Sequence, residues 1–157
     1  MTITLPALEV TVEPEWIDYN GHTNMAYYVV MFDRATDVLF DALGIGQSYR
    51  RDSGHSMYAL ESHITYARET RLGDRLRITA RLIDADLKRI HFFLRMATAD
   101  GDRQVATFEM VVLHVAIADP RSVPFPAARQ EGIDAMLARH RTLPLPAEIG
   151  RKVGLKR

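Results

Sequence analysis

Apolar residues recur at helical spacing in the first third of the chain, directly after a polar loop. The recurring positions are Met25, Tyr28, Val29, Phe32, Thr36, Leu39, Phe40 and Leu43. This spacing predicts a helix of about five turns, with Asn24 as its N-cap and Gly44 and Gly46 ending it. Because apolar residues cover most of its circumference, we expect a buried central helix. Its wetter side would carry Asp33, Arg34, Asp37 and Asp41.

After residue 56 the chain alternates apolar and polar residues, which is the pattern of half-buried strands. Asp84, Ala85 and Asp86 are expected in one turn, and Asp100-Gly101 is a hairpin signal. A Pro-rich passage and a basic tail follow the last strand. We predict strands over 8–12, 57–69, 75–82, 89–96 and 103–117, and a short helix over 127–139.

The order of one strand, one long helix and four strands predicts an α+β fold, in which an antiparallel sheet wraps around the central helix. Such a sheet leaves an edge open, so we expect a homodimer or a dimer of dimers. No linker divides the chain, which predicts a single domain over 1–157. Its core would span about 8–118, and a C-terminal helix and a solvated basic tail would occupy 119–157.

Composition narrows the chemistry that the 157 residues can support. Lysine plus arginine equals aspartate plus glutamate at 20 each, so we expect neither nucleic acid nor a membrane as partner. The chain has no cysteine, which excludes thiolate nucleophiles, disulfides and cysteine metal sites. Neither a signal peptide nor an apolar run of about 20 residues is visible, so we expect a cytoplasmic protein.

The loop before the predicted helix carries the most informative residues. A carboxylate at Asp18 would lie close to the helix start, whose free N–H groups can stabilise an oxyanion. Asp18 would then activate a water or attack a carbonyl carbon directly. The alternative is that Asp18 and Asn24 only cap a turn and a helix, and that His22 is a packed loop histidine.

The same segment resembles the signature of hotdog-fold thioesterases of the 4-hydroxybenzoyl-CoA thioesterase type. That signature is an aspartate, then Gly-His, then asparagine, then tyrosine, matched by Asp18, Gly21, His22, Asn24 and Tyr28. The resemblance extends from about residue 10 to 115. It implies a hotdog fold and hydrolysis of an acyl-CoA. It also implies catalytic roles for Asp18, His22 and Asn24. The family often has a second asparagine where this chain has Met25, whose backbone N–H would serve as the oxyanion donor.

Three further strings resemble the thioesterases of carnitine breakdown, which occur alone or fused to carnitine dehydrogenase. They are ESHI at 61–64, DLKRIH at 86–91 and EMVVLH at 109–114. This resemblance implies that betainyl-CoA is cleaved to glycine betaine and CoA. A trimethylammonium group is held well by aromatic faces and a nearby carboxylate. The candidate aromatic residues are Trp16, Tyr19, Tyr27 and Tyr28, which can alternatively be core residues.

Charged residues on the predicted strands are candidates for the remaining contacts with substrate. Glu61 or Glu109 would supply the counter-charge. Glu61 and His63 share one strand face, which can line a subunit interface or a substrate tunnel, or simply face water. The candidates for the CoA phosphates are Arg68, Lys88, Arg89 and Arg121, each of which can instead be a solvated surface residue. No short metal-ligand spacing supports a zinc site built from His63, His91 and His114, so we expect neither metal nor cofactor.

Two other functions use the same scaffold. A non-catalytic acyl-CoA sensing module is one alternative, although no DNA-binding output element is visible. A hotdog hydratase is another, but its Asp and His are five residues apart, whereas His22 follows Asp18 by four.

Overall fold

A computed structural model describes residues 5–155 of the chain. One turn of 3-10 helix, Pro14–Trp16, precedes the loop of interest. No helix in the described part of the chain is long and apolar enough to cross a membrane. The elements are β1 (Leu8–Thr11), α1 (Met25–Ala42), α2 (Gln47–Ser53), β2 (His55–Tyr66), β3 (Arg75–Ala85), β4 (Arg89–Thr98), β5 (Gln104–Ala116), β6 (Arg121–Ser122) and α3 (Ala127–His140).

Helix α1 begins and ends where the apolar pattern predicts. The Asn24 side chain accepts a hydrogen bond from the Ala26 N–H at 3.0 Å, which confirms the predicted N-cap. One side of the helix packs on the sheet, where the Phe32 ring stacks on the Phe108 ring at 5.1 Å. On the other side Val29 is 44% exposed in this single chain. The helix is therefore buried by the sheet on one side and open on the other.

The strands form one antiparallel sheet around α1, in the order β1-β3-β4-β5-β2, with β6 paired to β5. This arrangement confirms the predicted α+β fold. The first two strands of the sequence occupy the two edges of the main sheet. Strand β2 therefore presents an unpaired edge beside the open side of α1.

The two faces of the sheet differ in what they contact. Leu94 and its β5 partner Phe108 belong to the core cluster that contains α1 residues, which defines an inner face. Neighbouring residues in a strand point to opposite faces, so Glu109 lies on the outer face. Cross-strand partners share a face, and Glu109 pairs with both Phe93 and His63. His63 therefore also lies on the outer face.

Several boundaries differ from the predicted ones. Asp84 and Ala85 belong to β3 and not to the turn, because a bulge after Leu82 lets the strand continue. Strand β2 ends at Tyr66 and not at residue 69, since the Ala67 and Arg68 N–H groups both donate to the Val105 carbonyl. The short elements α2 and β6 were not predicted at all.

The C-terminal segment after α3 is fastened to the sheet by polar contacts. The Arg81 guanidinium donates to the carbonyls of His140 at 3.0 Å and Leu143 at 2.7 Å. Further along, the Gly150 N–H donates to the Glu109 carboxylate at 3.0 Å. Residues 151–155 are exposed, as predicted for the basic tail, and its last two residues lie outside the described range.

Candidate active site

Asp18 opens a tight loop that is closed by backbone hydrogen bonds. The Asp18 N–H donates to the His22 carbonyl at 3.0 Å, and the Gly21 N–H donates to the Asp18 carbonyl at 2.9 Å. Gly21 has a φ of 76°, a conformation that glycine adopts without strain. The Asp18 Oδ1 accepts a hydrogen bond from the Asn20 N–H at 2.8 Å. Through this bond Asp18 caps the turn, which is the alternative role considered from the sequence. The bond occupies only one of the two carboxylate oxygens.

The start of α1 follows this loop and offers a hydrogen-bond donor. The Ala26 N–H donates to the Asn24 side chain and the Tyr27 N–H to the Asn24 carbonyl, both at 3.0 Å, so the Met25 N–H is the first-turn donor left for a ligand. The Met25 side chain is 66% exposed, so the helix start is open to a ligand. The positive end of the helix dipole adds to the attraction for a developing oxyanion.

A cavity of about 370 Å³ opens at this helix start. One wall comes from the loop and α1, and the other from the segment that leaves β2. The lining residues are Thr23, Met25, Tyr28, Tyr66, Ala67, Arg68 and Glu69. Asp18 is not among them in this single chain, but it lies on the loop that Thr23 closes through a bridge with Ile17.

His22 lies near the edge of this site and makes no hydrogen bond to the Asp18 side chain. Its Nε2 is 3.9 Å from a Glu69 carboxylate oxygen, which is too far for a hydrogen bond. Its carbonyl, however, closes the turn with Asp18. The geometry thus gives His22 a backbone role in shaping the loop.

The four candidate aromatic residues do not form one cage. Trp16 is 3% exposed and stacks on Tyr27 at 5.8 Å, so both rings pack into the fold. Tyr19 is 98% exposed. The Tyr28 ring meets the Tyr66 ring edge-on at 5.3 Å, and burial raises the pKa of the Tyr28 hydroxyl. Only Tyr28 of the four lines the cavity.

Glu61 and His63 lie on the outer face, whereas α1 packs on the inner face. They line a cavity of about 580 Å³ together with His91 and Glu109, whose side chains are paired at 2.7 Å. The structure therefore brings these four residues together, but it does not bring them to Asp18 within one chain.

His114, the third member of the conceivable zinc set, lies elsewhere. Its ring is fully buried between the Tyr49 hydroxyl and the Val123 carbonyl, each at 2.9 Å. Among residues 5–155, no group of three or more histidine, aspartate or glutamate side chains is placed to hold a metal ion.

Three of the four candidate CoA-binding cations form a group at one end of the sheet. Arg89 is paired with Asp86 at 2.6 Å, and the Lys88 Nζ lies 3.4 Å from the hydroxyl of Ser122, the neighbour of Arg121. Arg68 lies at the other end, where its N–H bonds to Val105. Val105 is eight residues along β5 from Leu113, the partner of Arg89, which is about 27 Å. Within one chain only Arg68 is beside the cavity.

Sequence reasoning missed Thr70 and Tyr66 as residues of this site. Tyr66 is the last residue of β2, and nothing in the alternation marks it as a cavity residue. Thr70 is 1% exposed although it lies in a polar connecting segment. A threonine among charged residues carries no periodic signal, so only the fold reveals its burial.

The chain is similar in sequence and in structure to known thioesterases. The model of the thioesterase-like superfamily matches residues 12–148. A betainyl-CoA thioesterase of Pseudomonas aeruginosa is 36% identical over 99% of this chain and 98% of its own length. An L-carnitine dehydrogenase/betainyl-CoA thioesterase of Rhizobium meliloti is 37% identical over 98% of this chain and 31% of its own length. A Staphylococcus aureus protein characterised in complex with CoA superposes with a TM-score of 0.89 at 27% identity, covering 96% of this chain and 94% of that one.

Proposed function

The chain belongs to the thioesterase-like superfamily, and we propose that it acts as one hotdog domain that hydrolyses betainyl-CoA to glycine betaine and CoA. The activity of this family is thioester hydrolysis. The observation that carries the proposed substrate is the 36% identity to a betainyl-CoA thioesterase over almost the full length of both chains. We also propose that the protein works in the cytoplasm, where CoA thioesters are formed and consumed.

Asp18 is the group that we propose for the chemical step. Acting as a general base, its free oxygen takes a proton from a water molecule, whose oxygen attacks the thioester carbonyl carbon. The C–S bond then breaks, and CoA leaves as a thiolate that is protonated afterwards. Acting as a nucleophile, Asp18 instead forms an anhydride that water hydrolyses. In both routes the Met25 N–H at the start of α1, together with the positive end of the helix dipole, stabilises the oxyanion.

A second copy of the chain completes this site in our proposal. The open β2 edge exposes Tyr58 and Leu60, which are 51% and 54% accessible in the single chain. If two β2 edges pair antiparallel about a two-fold axis, the His55 end of one lies beside the Tyr66 end of the other. The group formed by Lys88, Arg89 and Arg121 lies at the His55 end, because β5 links both. The two-fold therefore brings this end of the partner subunit's sheet towards the Asp18 end, where its cations can meet the CoA phosphates.

The same pairing supplies a pocket for the acyl group. A cavity of about 450 Å³ lies between α1 and the His55 end of β2, with Asp37 and Phe40 in its lining. Asp33 and Asp41 also line this cavity, so three carboxyl groups gather there. Burial raises the pKa of Asp37, and repulsion by Asp33 and Asp41 adds to the rise. A trimethylammonium group gains from both the carboxylate and the aromatic ring. We therefore place the counter-charge at the partner subunit's Asp37, because Glu61 and Glu109 lie on the outer face.

A non-catalytic acyl-CoA binding module is the second candidate. The bond between Asp18 Oδ1 and the Asn20 N–H favours it, because that bond gives Asp18 a structural reason to be present. Such a module would bind CoA thioesters and release no thiol from them.

The deciding experiment is thiol release from betainyl-CoA, acetyl-CoA, a medium-chain acyl-CoA and an aromatic acyl-CoA. We expect a strong preference for betainyl-CoA. Asp37→Asn should raise KM for betainyl-CoA and leave KM for acetyl-CoA unchanged, since only the former carries a positive acyl group. Asp52→Asn, an exposed aspartate paired with Arg51, is the matched control. Equal rates on all four thioesters would contradict the betaine pocket, and binding without any thiol release would favour the sensing module.

A further inference from the structure

Three buried hydroxyl groups connect the two walls of the cavity at the α1 start. The Thr70 Oγ1 lies 2.7 Å from the Thr23 Oγ1 and 3.0 Å from the Tyr28 hydroxyl. The three residues are 1%, 6% and 3% exposed respectively. The Thr23 N–H adds a backbone bond of 2.8 Å to the Thr70 carbonyl. Thr70 therefore bonds both to Thr23, at the end of the Asp18 loop, and to Tyr28, in the first turn of α1.

The protons of this network can be assigned by counting donors. The Thr23 hydroxyl donates to the Thr70 carbonyl at 3.3 Å, and the Thr70 hydroxyl donates to the Thr23 Oγ1. The Tyr28 hydroxyl then has to donate to the Thr70 Oγ1, since each hydroxyl has one proton. Thr70 is therefore the only residue of the three that bonds to both of the others. Without its hydroxyl, Tyr28 loses its closest acceptor, and only the Arg68 carbonyl at 3.4 Å remains.

The location of the network connects it with the reacting groups. One wall of the cavity includes Met25, whose N–H is the proposed oxyanion donor, and the opposite wall is the segment 66–69 that directly precedes Thr70. Asp18 lies outside the lining, on the loop that ends at Thr23. A shift of Thr23 changes where Asp18 stands, because Thr23 closes the loop by pairing with Ile17. A shift of Tyr28 changes the orientation of the first helical turn. The Thr70 hydroxyl thus connects both Thr23 and Tyr28 to the opposite wall of the cavity.

We propose that Thr70 is a positioning residue for thioester hydrolysis, which holds the Asp18 loop and the α1 start in the geometry that the reaction requires. This inference rests on the proposed function of the Asp18 site. It assigns Tyr28 to the same network and gives its hydroxyl a role in positioning the helix. Thr70 itself touches neither substrate nor reacting atoms, because it is almost completely enclosed.

The test compares Thr70→Val, which keeps the shape and removes the hydroxyl, with Thr70→Ser, which keeps the hydroxyl. We expect Thr70→Val to lower kcat about 10-fold to 100-fold, because a misplacement of about 1 Å has an effect of that size. KM should change less than about threefold, and Thr70→Ser should restore kcat to within about threefold of the parent. Thr23→Val removes the other threonine hydroxyl and should reproduce the loss of kcat if Thr70→Val does not fold.

Thr107→Val is the matched control. Thr107 is 1% exposed, and its hydroxyl bonds to that of Thr65, so the variant also breaks a buried threonine pair, but on the outer face. It should lose comparable thermal stability and keep its kcat. A kcat for Thr70→Val within about twofold of the parent, or an equal loss in Thr107→Val, would overturn the proposal.

Hydrogen exchange separates this inference from the proposed function. Amides over residues 17–24 should exchange faster in Thr70→Val than in the parent or in Thr107→Val. If the parent releases no thiol from any thioester, the proposed function fails, whereas the exchange result still reports whether Thr70 fastens the loop. Unchanged exchange together with unchanged kcat would remove Thr70 from the site altogether.

Discussion

Replacing Asp18 separates its chemical role from its structural one. The Asp18 Oδ1 accepts a hydrogen bond from the Asn20 N–H at 2.8 Å in a turn that is partly open to water. Asp18→Asn keeps an oxygen that can accept this bond, and it removes only the negative charge and the basicity. Asp18→Ala removes the bond as well. The two variants should therefore differ in stability and agree in their loss of activity.

The expected magnitudes follow from these contacts. A positioned general base contributes about 100-fold to 10,000-fold to kcat, so both variants should fall by that factor. The Tm of Asp18→Asn should equal that of the parent protein. Asp18→Ala loses one hydrogen bond, which contributes about 0.5–1.5 kcal/mol net. For a chain of this size, a loss of about 1 kcal/mol lowers Tm by roughly 2–4 °C.

A chromogenic disulfide reports CoA release in this assay, and the chain itself adds no background because it contains no cysteine. Thermal unfolding of the same samples gives the stability difference. Parent-like kcat in Asp18→Asn would refute the assignment of Asp18 to the chemical step. A loss of activity only in Asp18→Ala would show that the turn matters and the charge does not.

Three further predictions concern assembly, pH and the core. Leu60→Glu places a charge on the β2 edge, so the variant should be inactive and should sediment as a monomer. The control Leu155→Glu, at an 88% exposed position, should stay dimeric. A parent protein that sediments as a monomer would contradict the shared site. Burial lowers the pKa of the His114 imidazole from 6.5, so the unfolded chain binds a proton that the folded chain does not. As the pH drops below about 6.5, the free energy of unfolding should then decrease by up to roughly 1.4 kcal/mol per pH unit. In His114→Gln, the free energy of unfolding measured with urea at a series of pH values should depend less on pH. Phe92→Ala empties a fully buried position and should cost about 3–5 kcal/mol in denaturant unfolding, and a loss below about 1 kcal/mol would show that the core closes over the gap.

The elements that the sequence predicts are those whose signal is local. Asn24 caps α1 by bonding two residues ahead, so residue types alone locate the helix start. Strands β3 and β4 alternate apolar and polar residues over most of their length above a buried inner face. Helix α2 has no buried residue, and its N-cap Gly46 has no side chain, so neither periodicity nor capping marks it.

The site was predictable only where its parts are neighbours in sequence. Asp18 and Met25 are a few residues apart, and the chain alone brings them together. Alternation correctly placed Glu61 and His63 on one face, but which face depends on the bulge between Ala59 and Glu61 and on the register with β5. Thr70 reaches the loop through Thr23, a contact between distant parts of the chain that no local pattern encodes.

The strand order also dictates when the proposed dimer surface comes into existence. Strands β3, β4 and β5 are joined by short turns and can pair as successive hairpins, whereas β2 must wait for β5, since His55 pairs with Ala116. Contacts between distant residues form slowly because the loop between them has to close first. During synthesis, β2 stays without its partner until β5 has left the ribosome. The edge that we propose as the dimer contact is thus assembled late, after most of the domain has been made, so a half-made chain has no formed edge with which to bind another.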